Sequence, residues 1–404
     1  MEGSDLKVVA AIDSFKGSMT SMEAGRAARE GILAAHPDAE VVVRPLADGG
    51  EGTTDALIEG LGGKRIDLTV TGPLGDPVSC YYGYLSSTEN TGKKSAGKSK
   101  GTGGVESSTD DAGRGTAIME MAAAAGITLT DVRDPLRATT FGVGEMIRDA
   151  MDRGCRDFII GIGGSATNDG GIGMLKALGF RFTDLEGNDP GEGGQALGKV
   201  ASIDITGRDP RLDECRFRVA CDVTNPLCGE NGATYIYGPQ KGVTDEMKES
   251  LDQAMAHYAS VAADTLGQDH AEAAGAGAAG GLGFALLSFL GAELTPGIQL
   301  ILDAVGLEEE LKDADVVITG EGRLDLQTAM GKAPVGVAEL AKKHGAKVIA
   351  FAGSVTPDAG ACNAAGIDAF FPIVRGVTTL EEAMDPENAK ANMRACAEQV
   401  FRLL

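Results

Sequence analysis

The sequence predicts an α/β protein of two domains, in which a parallel-sheet domain is interrupted by a second, mixed α/β domain. Three observations carry this reading. Strand, polar loop and helix recur in that order near both ends of the chain, the signature of parallel strands with their loops gathered at the carboxyl ends. Antiparallel alternation sets in from about residue 64. The middle also holds a glycine-rich strand-to-helix turn, FIIGIGGSATNDGGIGMLKALG at 158–179. The expected division is 1–72 with 285–404 for the parallel domain and 73–284 for the inserted one, with ligands expected in the cleft between them.

In chain order, KVVAAI (7–12) is a buried-strand run that ends in the polar turn DSFKGS (13–18). An alanine-rich helix follows through 24–35, with Ser21 and Glu23 at its start. Val41 to Val43 form a second strand, LADGGEGTT (46–54) its loop, and a helix runs on to about Leu61. Segments 66–70 and 78–85 alternate as antiparallel strands around the turn GPLGDP (72–77). Residues 86–115, rich in Ser, Thr, Gly and Lys, are expected to be a disordered surface insertion in the hairpin formed with 116–121. Loop-closure entropy grows slowly enough with length for a hairpin to carry it. A helix at 141–153 leads into the glycine-rich turn, and strands are expected at 180–182, 216–220 and 234–236. Helices follow at 247–263 and from GAGAAGGLG (275–283) through Leu290, and the parallel pattern returns with strands at 316–318, 348–351 and 369–374.

Composition excludes several classes. With 36 Lys and Arg against 59 Asp and Glu, the net charge of −23 argues against nucleic acid or an anionic membrane as partner. No uncharged apolar stretch is long enough to span a bilayer. Seven scattered Cys and no signal-like N-terminus point to reduced thiols in the cytoplasm, and none of the four His lies near a Cys, so no zinc site is expected. The acid excess fits a protein kept soluble in high salt. Screening of its self-repulsion should then raise the melting temperature between low and molar salt, and a flat or falling melting temperature would remove the halophilic reading.

Five segments that end expected strands each bring a carboxylate: Asp13, Asp48, Asp169, Asp222 and Glu321. Lys16 and Arg323 stand close to two of them. Acids beside glycines, with no His in these loops, fit metal-assisted phosphoryl transfer better than acyl transfer. The glycine-rich turn can bring backbone N–H groups to an anion, and an acid within it, Asp169, suits a magnesium ion or catalysis. The competing reading of an Asp after a strand is a helix N-cap, which applies to Asp13 and Asp222, while Lys16 and Arg323 also read as solvated surface charges. The string G-x-x-x-x-G-K-S occurs once, at 92–99, inside the low-complexity insertion and not between an expected strand and helix, so no Walker-type loop is expected, and the protein-kinase H-R-D and D-F-G motifs are absent. A dinucleotide-binding oxidoreductase would need G-x-G-x-x-G near the first strand, where DSFKGS stands instead. A non-catalytic sensor of nucleotides or sugar acids is the other alternative.

IDSFKGS (12–18), PLADGGEGT (45–53), TGPLGDPV (71–78), ATTFGVGE (138–145), GIGGSATNDGGIGMLKALG (161–179), ACDVTNPL (220–227), GAAGGLGFAL (277–286) and TGEGRLDLQT (319–328) lie in register from end to end. In these motifs the chain resembles the type I glycerate kinases of bacteria and archaea, apart from 86–115. The resemblance implies ATP-dependent phosphorylation of D-glycerate, usually assigned to the 2-hydroxyl with the 3-position as the older naming, and a Rossmann-like first domain interrupted by the second. It locates the loops; the roles come from residue chemistry. Lys16 and Arg323 would neutralise phosphate or the glycerate carboxylate, Asp169 and Asp222 would hold Mg²⁺ or orient the hydroxyl, and Asp48 is a further candidate base. Gly163, Gly164, Ser165, Asn168, Gly170 and Gly171 would line the phosphates, with Glu321 on the nucleotide side. The sequence leaves a homo-oligomer open.

Overall fold

The computed structural model describes residues 6–86 and 114–404. Its strands, in chain order, are β1 (Lys7–Ile12), β2 (Glu40–Pro45), β3 (Lys64–Thr71), β4 (Pro77–Leu85), β5 (Gly115–Glu120), β6 (Cys155–Gly161), β7 (Arg181–Thr183), β8 (Ser202–Asp204), β9 (Arg216–Ala220), β10 (Glu293–Thr295), β11 (Val316–Leu324), β12 (Lys347–Val355) and β13 (Ala369–Pro372). The chain divides into two compact units, Met1–Leu61 with Gly297–Leu404, and Gly62–Pro296. These borders differ from those expected at 72/73 and 284/285. β3 pairs with β4 in the second unit's sheet, and the helix Ala278–Leu290 runs across the expected second border.

The first unit is built on a five-stranded sheet in the order β13-β12-β11-β1-β2, parallel throughout. β1 is buried after Lys7, as a parallel strand covered on both faces must be, which is why it reads as a continuous apolar run. The helix Ser21–Ala35 starts at Thr20, whose hydroxyl accepts from the Glu23 amide while the Glu23 carboxylate accepts from the Thr20 amide. Thr20 is therefore the N-cap, and Asp13 is not. Counted within the unit, the strand order is 2-1-3-4-5. The chain steps outward one way from β1 to β2 and the other way through β11, β12 and β13. The crevice beyond the carboxyl ends of β1 and β11 is the topological switch point, where such sheets bind ligands.

The second unit carries a six-stranded mixed sheet, β10-β9-β6-β5-β4-β3, parallel from β10 to β5 and antiparallel across β4 and β3, plus the small antiparallel pair β7-β8. The antiparallel strands fall where the alternation placed them. Residues 86–115, apart from Ser86, Arg114 and Gly115, lie outside the described residues. One expectation is corrected: 234–236 is not a strand but part of a single π-helical turn, Ala233–Tyr237. Its β-formers are overridden by tertiary context, because buried Thr234 accepts a hydrogen bond from Asn168 Nδ2 at 3.1 Å. Among the described residues no helix is long and apolar enough to cross a membrane.

Candidate active site

In the first unit a cavity of about 1170 Å³ opens at the switch point, lined among others by Asp13, Lys16, Asp48, Glu321, Arg323 and Lys332. Its geometry follows from strand ends. The Asp13 amide donates to the Gly320 carbonyl at 2.9 Å, which keeps the chain leaving β1 beside β11. Gly320 has φ 156°, and a Cβ there would lie 1.9 Å from the Phe351 carbonyl oxygen of β12, so only glycine allows this approach. After Asp13 the chain turns back on itself, with the Phe15 amide donating to the Met19 carbonyl at 2.9 Å and exposed Lys16 at the tip. Glu321 and Arg323, expected in a loop, lie within β11 itself.

Asp13, Asp48 and Glu321 stand close enough to repel one another. Burial pushes the Asp13 carboxyl up to about 7, the Ser14 amide (2.6 Å) pulls it down, the negative charges of Asp48 and Glu321 raise it further, and Lys16 lowers it. Burial also raises Glu321, against a hydrogen bond from the Thr328 hydroxyl and the charge of Lys332. Thr328 is fully buried and fixed by a reciprocal capping box with Asp325, so it holds Glu321 in a set orientation. Asp48 accepts from the Gly50 amide at 2.9 Å. Arg323 is largely exposed and pairs through Nε with Asp325 Oδ2 at 3.3 Å, an interaction solvent makes weak. Of the expected site residues, the structure thus gathers Asp48, Lys16, Arg323 and Glu321. It adds Asp13, whose N-cap reading is removed, and Lys332, whose only sequence signal is a lysine just ahead of the Pro-containing helix start at Ala333–Lys343.

The glycine-rich turn of the second unit is held together by its own side chains. Asp169 is fully buried, and its Oδ2 accepts from the Thr140 amide and hydroxyl, both at 2.8 Å, and from the Gly173 amide at 3.2 Å, while Oδ1 accepts from the Gly171 amide at 3.1 Å. The carboxylate is the anion at the start of the short helix Ile172–Ala177, supplied by the chain itself. In this structure the Asp169 carboxylate, expected as a metal ligand or catalytic acid, is the tie that closes this loop. Gly170 and Gly171 are glycine for packing, since a Cβ would lie 2.8 Å from the Tyr258 ring and 2.3 Å from Ala285 Cβ, respectively. Asn168 is fully buried, and Ser165 is buried and accepts a 2.6 Å hydrogen bond from Lys241 Nζ, so neither side chain is open to phosphate. Lys241, which the sequence reading missed, is only 2 % exposed and also donates to the Thr167 carbonyl at 2.7 Å; burial pushes its amine down to about 7. Gly163 and Gly164 remain exposed, and Asp222 is exposed just past β9. Among the described residues no group of three or more His, Cys, Asp or Glu side chains is placed to hold a metal ion.

Comparison with known proteins bears on the chemistry. Residues 8–404 match the model of the "Glycerate kinase family". The glycerate kinase of Bacillus subtilis (strain 168) is 46% identical over 397 residues, covering 98% of this chain and 97% of that protein. The glycerate 2-kinase of Escherichia coli (strain K12) is 46% identical over 380 residues, covering 94% of this chain and 93% of that one. A crystal structure of a protein assigned as glycerate kinase 2 from Salmonella typhimurium LT2 superposes with a TM-score of 0.84 at 46% identity, covering 99% of this chain and 98% of the other.

Proposed function

The chain belongs to the glycerate kinase family and is a kinase, and from that premise we propose that it transfers the γ-phosphoryl group of ATP to the 2-hydroxyl of D-glycerate, in the cytoplasm. The cavity at the switch point of the first unit is the reaction site. The carrying observation is Asp13, held near neutrality by burial and by Asp48 and Glu321 in a cavity that also presents Lys16 and Arg323. A base of that strength takes the proton of the attacking hydroxyl as the O–P bond forms, and is mostly ionised just above pH 7. Lys16 and Arg323 meet the charge of the phosphoryl oxygens and the glycerate carboxylate. Exposed Gly163 and Gly164 are the part of the glycine-rich turn still open to an anion, and Asp222, the carboxylate expected to hold Mg²⁺ or orient the hydroxyl, stands exposed just past β9.

Mg²⁺ fits this donor set. Asp13, raised by burial and the charges of Asp48 and Glu321, and Glu321, raised by burial and the charges of Asp325 and Asp48, form an unfavourable arrangement that a divalent cation relieves, and Mg²⁺ takes one or two carboxylates with the rest of its shell from phosphate and water. Asp48 and Glu321 are the residues that would hold it, leaving Asp13 for the proton. The cation would supply charge neutralisation at the phosphate oxygens. Incubation with ATP, Mg²⁺ and D-glycerate should release ADP and yield 2-phosphoglycerate by phosphorus NMR. No ADP above a glycerate-free control, or 3-phosphoglycerate as product, would refute the corresponding part of this reading.

A further inference from the structure

The cavity of the first unit is lined by two chemically distinct sets of side chains. One is the carboxylate and cation cluster already described. The other is apolar: Ile373, Val374, Leu380, Ala383, Met384 and Leu326. Among the described residues of this unit, the large apolar side chains left exposed are Leu326, Met330, Val377, Leu380, Met384, Leu403 and Leu404. Apart from the two at the chain's end, all lie on the two segments, 326–330 and 377–384, that flank the cavity. Scattered exposed apolar residues need no explanation, but a concentration of them at one cavity's mouth marks a surface kept for an apolar ligand group. Leu380 is 76% exposed, on a short helix whose start is fixed by the Thr379–Glu382 capping box. The threonine hydroxyls beside it are already engaged: Thr379 accepts from the Glu382 amide at 3.2 Å, and Thr378 donates to the Glu382 carboxylate at 2.7 Å. These side chains therefore offer apolar surface rather than a polar cradle.

Glycerate cannot account for that apolar surface. It is a three-carbon acid with an oxygen on every carbon, it would occupy a small part of about 1170 Å³, and it has no apolar face to bury. A nucleoside triphosphate has both characters, a flat base at one end and a charged phosphate chain at the other. We infer that the aliphatic wall formed by Leu380, Met384, Val374 and Leu326 seats the nucleobase and so orients the triphosphate toward Lys16, Asp48 and Glu321. The inference rests on the kinase reading above and adds where the nucleoside binds and in which direction it lies. It moves the main nucleotide contacts from the glycine-rich turn of the second unit to the first.

The test is the full-length chain carrying Leu380→Ser and Met384→Ser. Both side chains are exposed, and the neutral replacements leave the charge around the phosphates as it was. Calorimetric titration should find a non-hydrolysable ATP analogue bound about tenfold more weakly than by the unsubstituted chain, as expected for loss of apolar contact to one ring system. Inorganic tripolyphosphate should bind within about twofold of its original affinity, because it lacks the base. The KM for D-glycerate should stay in place. Unchanged analogue affinity, equal weakening of analogue and tripolyphosphate, or a rise in the glycerate KM alone would each overturn the assignment. The function reading fails separately, if the unsubstituted chain binds the analogue but releases no ADP with D-glycerate.

Discussion

Asp13→Asn is expected to lower kcat/KM for glycerate phosphorylation by about 10²–10⁴, the usual contribution of a positioned general base. The same substitution should make the first unit more stable above neutral pH. Both effects have one source. Burial and the charges of Asp48 and Glu321 raise the Asp13 carboxyl from 3.8 to about 7 in the folded chain. For activity, the ionised form is the working one, so kcat/KM should fall about tenfold per pH unit below 7 and level off above it. For stability, the raised folded pKa means that the native state holds a proton which the unfolded chain releases between about pH 4 and 7. The stability gained from that proton is complete below pH 4 and lost as pH rises through 7. Above 7 the ionised Asp13 works against folding, by on the order of 2 kcal/mol once its partial exposure is allowed for. The asparagine variant escapes that penalty, and its amide oxygen can still accept from Ser14. Its melting temperature should exceed the wild-type value by roughly 4–8 °C at pH 8 and converge with it near pH 4. A variant that loses activity but keeps an acid limb near pH 7 would show that another group titrates, and one that melts lower at pH 8 would contradict the buried-charge argument.

How far the sequence carried depended on whether a residue's role was decided locally. β1 and β11 were legible because a parallel strand covered on both faces must be an apolar run, and β3 and β4 because a sheet with one face in water must alternate. The helix after β1 was legible in its extent, but its cap was not. Ser21 and Glu23 were recognised near its start, whereas Thr20 one residue earlier does the capping, and only that frees Asp13 for chemistry. At the glycine-rich turn the obstacle to reading the sequence is of another kind. GGSATNDGG has the same composition whether its N–H groups face phosphate or the chain's own carboxylate. The choice is made by Thr140, which lies 29 residues upstream of Asp169 and donates to it twice. Lys241, in a PQKG turn, carries no mark of the burial that seats it against Ser165 and Thr167. Long-range partners decide these cases, and single-sequence periodicity does not contain them.

Asp169→Asn tests that distinction directly and is expected to act on stability rather than on chemistry. Four donors converge on the two carboxylate oxygens and no acceptor faces them. The Thr140 hydroxyl must itself donate to Asp169, since its oxygen already accepts from the Met174 amide at 2.9 Å. An asparagine has one oxygen to offer. Whichever way the amide is turned, its NH₂ meets either the Gly171 amide or the group of three donors at the other oxygen, in a site with no water access. Leaving such donors opposed or unpaired costs about 2–4 kcal/mol. In a unit of this size that is roughly 5–12 °C in melting temperature, measurable by calorimetry. Well below its transition, the variant should turn over glycerate at a rate within about threefold of wild type, because the carboxylate meets only its own chain. Thr140→Val supplies the second arm. On the wild-type background it removes one donor from Asp169 and strands the Met174 amide. On the Asp169→Asn background the interaction between the two positions is already impaired, so the two costs should fall short of their sum by about 1 kcal/mol. An unchanged melting temperature together with a thousandfold loss of turnover would instead mean that Asp169 reaches the substrate, and the loop's own anion would have to be sought elsewhere.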